Sequence, residues 1–264
     1  MLCNCTKNRK TEQVISLDRQ RNAVLGSLTR KTFARALQHL CGNDPDLAQI
    51  LTILDPPIFW TRKPGFASLI HIILEQQVSL ASARASFDRL REAISPLIPD
   101  RFLELNDARL KSFGFSRQKA AYARNLAKAI VDGQLNLPGL DTMADKAVRA
   151  ELIKIKGIGP WTANIYLLTV LRRPDIWPKE DLALAVAAQK LKRLKARPTP
   201  QELENLSMVW KPWRAVAARL LWHYYLNSHR KAADSHPKQN TQIRMADQQY
   251  GNAKTATVTP GRNP

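Results

Sequence analysis

Leu152-Ile153-Lys154-Ile155-Lys156-Gly157-Ile158-Gly159-Pro160-Trp161-Thr162-Ala163 decides how the rest of the chain is read. An amphipathic helix runs into G-x-G, and a second helix begins at once. Glycine reaches positive φ and puts no Cβ in the way of a neighbour. Pro160 suits the first turn of the following helix, where its missing N–H costs nothing. Such a hairpin presents backbone N–H groups at a helix N-terminus, where the helix dipole favours a phosphate. Lys154 and Lys156 add positive charge beside it. The plainer reading is a tight turn between helices whose glycines only relieve crowding.

Helical periodicity continues on both sides of this hairpin. Phe66, Leu69, Ile70, Ile73 and Leu74 share one face, then Ala83, Phe87, Leu90 and Ile94, with Ser79 as a cap. Further helices are predicted near 119–130, 146–155, 160–171, 182–194, 202–207 and 212–227. Thr199-Pro200-Gln201-Glu202 supplies a cap, a first-turn proline and a capping-box acid. No stretch alternates as a strand does, so the fold class is all-α with about eight to ten helices. Residues 1–28 and 231–264 are polar and poor in large apolar side chains, which marks them as weakly ordered extensions of a core at 29–230.

The chain carries 41 Lys+Arg against 22 Asp+Glu, a net charge of +19. Residues 1–30 account for +4 and residues 231–264 for +3, which leaves +12 on 31–230. The basicity therefore belongs to the folded part and favours a polyanionic partner, usually nucleic acid. Cys3, Cys5 and Cys41 form no disulfide framework and no metal-binding set. His39, His71, His223, His229 and His236 lack the spacing of metal ligands, so no catalytic metal is expected. No apolar run reaches the roughly 18 residues of a membrane helix. The N-terminus lacks the apolar stretch of a signal peptide, and an intracellular protein is expected.

Four further segments stand in order around the hairpin. They are Ile73-Leu74-Glu75-Gln76-Gln77-Val78-Ser79, Gly114-Phe115-Ser116-Arg117-Gln118-Lys119-Ala120-Ala121-Tyr122, Trp177-Pro178-Lys179-Glu180-Asp181-Leu182-Ala183-Leu184, and Trp210-Lys211-Pro212-Trp213-Arg214 with Ala217 to Trp222. With the hairpin they resemble the helix-hairpin-helix superfamily of DNA glycosylases, and within it the 3-methyladenine DNA glycosylase II family. The resemblance covers roughly residues 31–230. It implies a multi-helix fold with the hairpin at about 146–171 and two helical subdomains flanking an active-site cleft. It also implies a monomer that acts on double-stranded DNA, located in the cytoplasm and DNA-associated, or in the nucleus of a eukaryotic source.

The resemblance carries roles residue by residue. Asp181, twenty residues after Trp161, falls at the catalytic carboxylate. Trp161 and Trp222 fall at aromatic positions of the base pocket, with Tyr166 as a further candidate beside Ile165, and Phe59 and Trp60 as its edge. Gly157, Gly159, Thr162, Lys154 and Lys156 form the DNA grip, with Gln76 and Gln77 at the segment that enters the helix. The carbonyls of Ile153, Ile155 and Gly157 are implied as the seat of an alkali ion, K+ or Na+. Trp161 stands where bifunctional members carry the lysine that forms a Schiff base, so strand cleavage is not expected. No cysteine follows Cys41, so the iron–sulfur loop of endonuclease-III-like members is absent.

The residues taken by themselves leave other roles open. Asp181 also suits an N-cap, Gln77 a helix-terminal amide, and each tryptophan a place in the core. Trp60, Trp177, Trp210 and Trp213 are expected to be structural, and Asp175 and Glu180 solvated. Two other functions compete: a glycosylase for another lesion class, and a non-enzymatic protein that uses the hairpin only to hold DNA.

Overall fold

The computed structural model describes residues 26–59 and 62–234, with side-chain environments through residue 228. Twelve α-helices and two 3-10 turns make up the regular structure of the described residues, with no strand among them. Trp60, His236, Cys3, Cys5 and most of both extensions lie outside the described residues, as does the side chain of His229.

The first two helices, α1 (Arg30–Asn43) and α2 (Pro45–Ile53), meet at Asp44, which ends one and caps the other. Next come α3 (Phe66–Glu75), α4 (Leu80–Ala93), the short α5 (Pro99–Leu103) and α6 (Asp107–Ser112), and α7 (Arg117–Val131). A 3-10 turn at Pro138–Thr142 leads to α8 (Asp145–Ile153) and α9 (Pro160–Thr169). The chain then forms α10 (Leu182–Leu191), α11 (Pro200–Leu206), a 3-10 turn at Ser207–Trp210, and the long α12 (Arg214–Asp234).

The helix count exceeds the expectation because α1, α2, α5 and α6 were not read as separate elements. The caps follow the sequence. The Ser79 hydroxyl accepts from the Ser82 N–H, and Thr199 and Glu202 form a reciprocal capping box behind Pro200. The α10 helix stops at Leu191 rather than 194, because Arg193 turns to φ +53. Leu28, assigned on sequence to the weakly ordered extension, is buried, and its N–H donates to the Arg172 carbonyl.

Packing sorts the helices into two groups. In one, α3 packs on α4, α7 and α9, with α5 and α6 against α7 and α8 against α9. In the other, α12 packs on α1, α2 and α10, with α11 beside α10. The α3 helix is the axis of the first group: Phe66 and every residue from Leu69 to Glu75 are buried. Each such apolar side chain contributes about 1.5–3 kcal/mol by leaving water. Trp210 is buried in the second group, where its indole N–H donates to Asp44, which also accepts from Lys192. Helices at the two ends of the described chain build one group and those in its middle the other, so a seam runs between them.

Candidate active site

Asp181 lies on that seam, only 7% exposed, as the N-cap of α10. Its Oδ1 accepts from the Leu184 N–H at 2.9 Å, as a capping aspartate does. The same oxygen accepts from the Trp222 indole N–H at 3.1 Å, and Oδ2 accepts from the Trp161 indole N–H at 2.9 Å. Trp161 comes from the first turn of α9, in the first helix group. Trp222 comes from α12, in the second. Asp181 is therefore both a cap and the point at which two tryptophans from different helix groups converge. A carboxylate offers about four acceptor sites, and the three N–H donors leave Oδ2 one more. Both tryptophans are half-buried. Their indole N–H groups point at the carboxylate, a role that the sequence reading, which assigned them to a base pocket, did not contain.

Leu182, next to the carboxylate, is 59% exposed. Its signal was an apolar residue at the first turn of a helix whose buried face runs through Leu184, Ala185, Ala188 and Leu191.

The hairpin joins α8 to α9 through residues 154–159. Its glycines differ in kind. Gly157 sits at φ +106, and a Cβ there would fall inside the Tyr122 ring, so crowding accounts for it. Gly159 is extended, and a Cβ there would meet open space. No side chain caps α9, so its first-turn N–H groups stand without a side-chain acceptor behind an unobstructed backbone. Lys156 is exposed, and Lys154 pairs with Glu151 at 2.7 Å with its side chain 65% exposed. The carbonyls of Ile155 and Gly157 each accept one hydrogen bond, from Ile158 N–H and the Gln76 amide, and each keeps a second lone pair. Neutral oxygens with free lone pairs fit an alkali ion.

The segment between α3 and α4 divides its roles. The Gln76 amide turns inward and donates to the Gly157 carbonyl and the Thr162 hydroxyl, both at 3.0 Å. This corrects the expectation for two residues: Gln76 braces the hairpin from behind, and the Thr162 side chain is buried under it. Thr162 is buried and Gln76 only half-exposed, so neither side chain stands out on the surface. Gln77 does the opposite. It is exposed at φ +56 and is followed by Val78 at 44% and Leu80 at 46% exposure. A non-glycine residue in the left-handed region is uncommon and marks a position worth a functional reading.

The G-x-S-x-x-K-x-x-Y segment acts as a frame. Ser116 caps α7, Lys119 donates to the Leu74 carbonyl at 2.7 Å near the end of α3, and Tyr122 packs on Gly157. Burial pushes the Lys119 amine below its ordinary value. The Asn125 amide donates to the Lys156 carbonyl at 3.1 Å. One helix thus holds both the Gln76–Gln77 turn and the hairpin.

Other expectations need correction. Tyr166 is wholly buried, and its ring offers no surface to a base; burial raises its phenol above the ordinary value. Asp175 is not simply solvated, since both of its oxygens accept from Arg214, at 2.7 and 2.9 Å. Glu180 is exposed as expected. Phe59 packs edge-on against Phe33 at 5.4 Å and lies half-buried. Trp177 and Trp210 pack together in the core, and Trp213 lies against it. Behind the α3–α4 turn sits a group that the sequence reading missed: Glu75, buried, pairs with Arg62 and lies 3.7 Å from His71. His71 stacks on Phe87, and burial lowers its pKa to about 4.

Among the described residues no His, Cys, Asp and Glu gather as a metal site, and no helix is long and apolar enough to cross a membrane.

A family model described as HhH-GPD superfamily base excision DNA repair protein matches residues 70–213. A DNA-3-methyladenine glycosylase of Bacillus subtilis (strain 168) is 31% identical over 169 residues, which cover 60% of this chain and 56% of the relative. The chain thus spans little more than half the length of that relative. DNA-3-methyladenine glycosylase 1 of Schizosaccharomyces pombe is 25% identical over 210 residues, covering 77% of this chain and 90% of the relative. Among solved structures, the S. pombe 3-methyladenine DNA glycosylase in complex with abasic DNA superimposes with a TM-score of 0.67 at 25% identity, covering 71% of this chain and 95% of that one. A Bacillus halodurans DNA-3-methyladenine glycosidase gives 0.62 at 26% identity, over 74% and 91%.

Proposed function

The chain belongs to the HhH-GPD superfamily of base excision DNA repair proteins, and we propose that within it this protein is a monofunctional glycosylase that removes alkylated bases from double-stranded DNA. The observation that carries the reading is the buried Asp181 carboxylate, held by the indole N–H groups of Trp161 and Trp222 where the two helix groups meet. The relatives named for 3-methyladenine support the choice of lesion.

A base inside a duplex is out of reach, so its nucleotide must be flipped out. The hairpin takes the backbone: a phosphate lies against the open N–H groups behind Gly159, with Lys154 and Lys156 beside it. An alkali ion on the carbonyls of Ile153, Ile155 and Gly157 would add positive charge at that grip. Gln77, exposed ahead of Val78 and Leu80, fills the gap left in the stack. The flipped base rests on the half-buried faces of Trp161 and Trp222 near Leu182. Alkylation at N3 or N7 makes a purine cationic, and an aromatic face attracts such a cation by about 0.5–2 kcal/mol.

The glycosidic C1′–N bond then breaks, and its electron pair leaves with the base. Positive charge grows on the sugar, and Asp181 meets it with a carboxylate already oriented by three donors. The open site on Oδ2 holds the attacking water, whose oxygen bonds to C1′ while its proton passes to the carboxylate. A cationic leaving group needs no separate acid. No lysine acts as a nucleophile in this scheme. Lys179 is tied to Glu204 at 2.8 Å, and Lys119 to the Leu74 carbonyl.

The test is a panel of duplexes, each with one alkylated base, scored for free base and for strand breaks before and after hot alkali, with borohydride in parallel. Free base, an intact strand until alkali, and no trapped complex are expected. A borohydride-trapped adduct with cleavage at the rate of base loss overturns the monofunctional reading. No base released from any lesion, despite tight binding, overturns the enzyme reading.

A further inference from the structure

At the opposite end of α10 from Asp181, helices α2, α10 and α12 enclose a cleft of about 150 Å³ that the scheme above leaves unused. Gln49, Ile53, Lys190, Arg193 and Tyr224 line it. A ten-residue helix spans about 15 Å, so the cleft is a separate place on the surface. It is smaller than the pockets that hold drug-sized ligands, and it takes one ring-sized group.

Its chemistry is mixed in a particular way. Ile53 is 50% exposed, Tyr224 is half-buried, and α2 and α10 both end at this place, at Ile53 and Leu191. Carbonyls accept from amino groups and repel phosphate. The cations sit around the cleft: Lys190 and Arg193 on its wall, with Lys195 and Arg197 following in the chain. All four are exposed, and none has an acidic partner among the described residues. Lys192, between them, is instead consumed by Asp44 and Asp46.

Arg193 adds an independent observation. It ends α10 in a Schellman motif, with its own N–H on the Lys190 carbonyl and the Leu194 N–H on that of Gln189. That position takes φ > 0 and is ordinarily glycine; here an arginine accepts φ +53. A local rule broken where a long cationic side chain results points to use of that side chain.

We propose that this cleft is a second nucleic-acid contact, which takes one unpaired base against Tyr224 while the flanking phosphates of a single strand lie on Lys190, Arg193, Lys195 and Arg197. Duplex DNA presents phosphates but no free base, and would leave the cleft beside Tyr224 unfilled. Stacking on an aromatic ring and cations along the backbone are the two elements of single-strand binding. The chain's own extensions are not suited to the place, since both are basic. This contact does not depend on the glycosylase reading.

The test uses the full chain and a fluorescein-labelled oligothymidylate, with binding read by anisotropy. Arg193→Gly removes the cation and relieves the left-handed backbone. It should bind the strand several-fold more weakly while its melting temperature holds or rises. The exposed triple change Arg193→Glu, Lys195→Glu and Arg197→Glu should weaken binding by about tenfold or more at low salt. Base release from a short lesion duplex in single turnover should stay unchanged in both. A strand carrying 5-iododeoxyuridine should photo-crosslink to the peptide with Tyr224, in wild type and equally in Lys154→Glu/Lys156→Glu. Unchanged affinity in the triple variant overturns the proposal. So does a crosslink confined to the hairpin, or tighter binding of an oligoglutamate of equal charge than of the oligonucleotide.

Discussion

Replacing Asp181 by Asn should cost activity and stability for separable reasons. The amide keeps one oxygen. Placed at the Oδ1 position, it preserves the cap to Leu184 and the acceptor for Trp222. The amide nitrogen then occupies the Oδ2 position and faces the Trp161 indole N–H, which had donated at 2.9 Å. Two donors meet, and a part-buried N–H is left without a partner. Flipping the amide instead would strand two donors. An unsatisfied buried donor costs about 1–3 kcal/mol, which lowers the melting temperature of a domain this size by roughly 5 °C. Base release should fall by at least about two orders of magnitude, the scale for losing one preorganised electrostatic stabiliser.

A second change separates the two effects. Trp161→Phe removes the stranded N–H, so in the Asp181→Asn background it should restore part of the stability and none of the activity. The assay is a double-mutant cycle in urea denaturation, beside single-turnover release of alkylated base. The expected coupling is about 1 kcal/mol or more between the two residues. Base release within about tenfold of wild type in Asp181→Asn would refute the catalytic assignment, since such a loss is too small for a group meeting the transition-state charge. Additive stabilities would refute the hydrogen bond as the link between the helix groups.

Two more outcomes follow from particular residues. Gly157→Ala meets the Tyr122 ring at φ +106 and should destabilise the fold by about 2 kcal/mol or more, whereas Gly159→Ala meets open space, should leave stability within about 0.5 kcal/mol, and should weaken duplex binding by blocking close backbone approach; thermal melts beside binding isotherms distinguish them. Burial lowers the His71 pKa from the ordinary 6.5 to about 4, with Glu75 and Asp88 opposing the shift and Arg62 and Arg84 adding to it. The unfolded chain therefore binds the proton first, and stability present above pH 6.5 is lost as pH falls toward 4, by about 3 kcal/mol in all. His71→Asn should flatten that part of the urea-stability profile, and an unchanged slope would show that the ring is not buried neutral.

The local grammar of helices was legible in the chain because caps, prolines and apolar spacing act within a few residues. Ser79, the Thr199–Glu202 box, Pro160 and the G-x-G turn stand where the sequence places them. So do the all-α class and the adjacency of α8 and α9. The short α5 and α6 were not legible, since five or six residues carry too little periodicity to read.

Which way a side chain faces was decided by tertiary structure. Gln76 and Gln77 are neighbours, yet the angle between α3 and α9 brings one amide onto Gly157 and Thr162 and leaves the other exposed in a left-handed turn. Tyr166 and Trp161 stand on one helix, but the first points into the packed interior while the second reaches Asp181 across the seam. That Asp181 suits a helix cap was legible in the sequence, because a cap needs only its own next turn. That two indole N–H groups from distant helices converge on the same carboxylate depends on how the terminal helices pack against the central ones. That packing comes from burial summed over the whole core, which no local window of sequence contains.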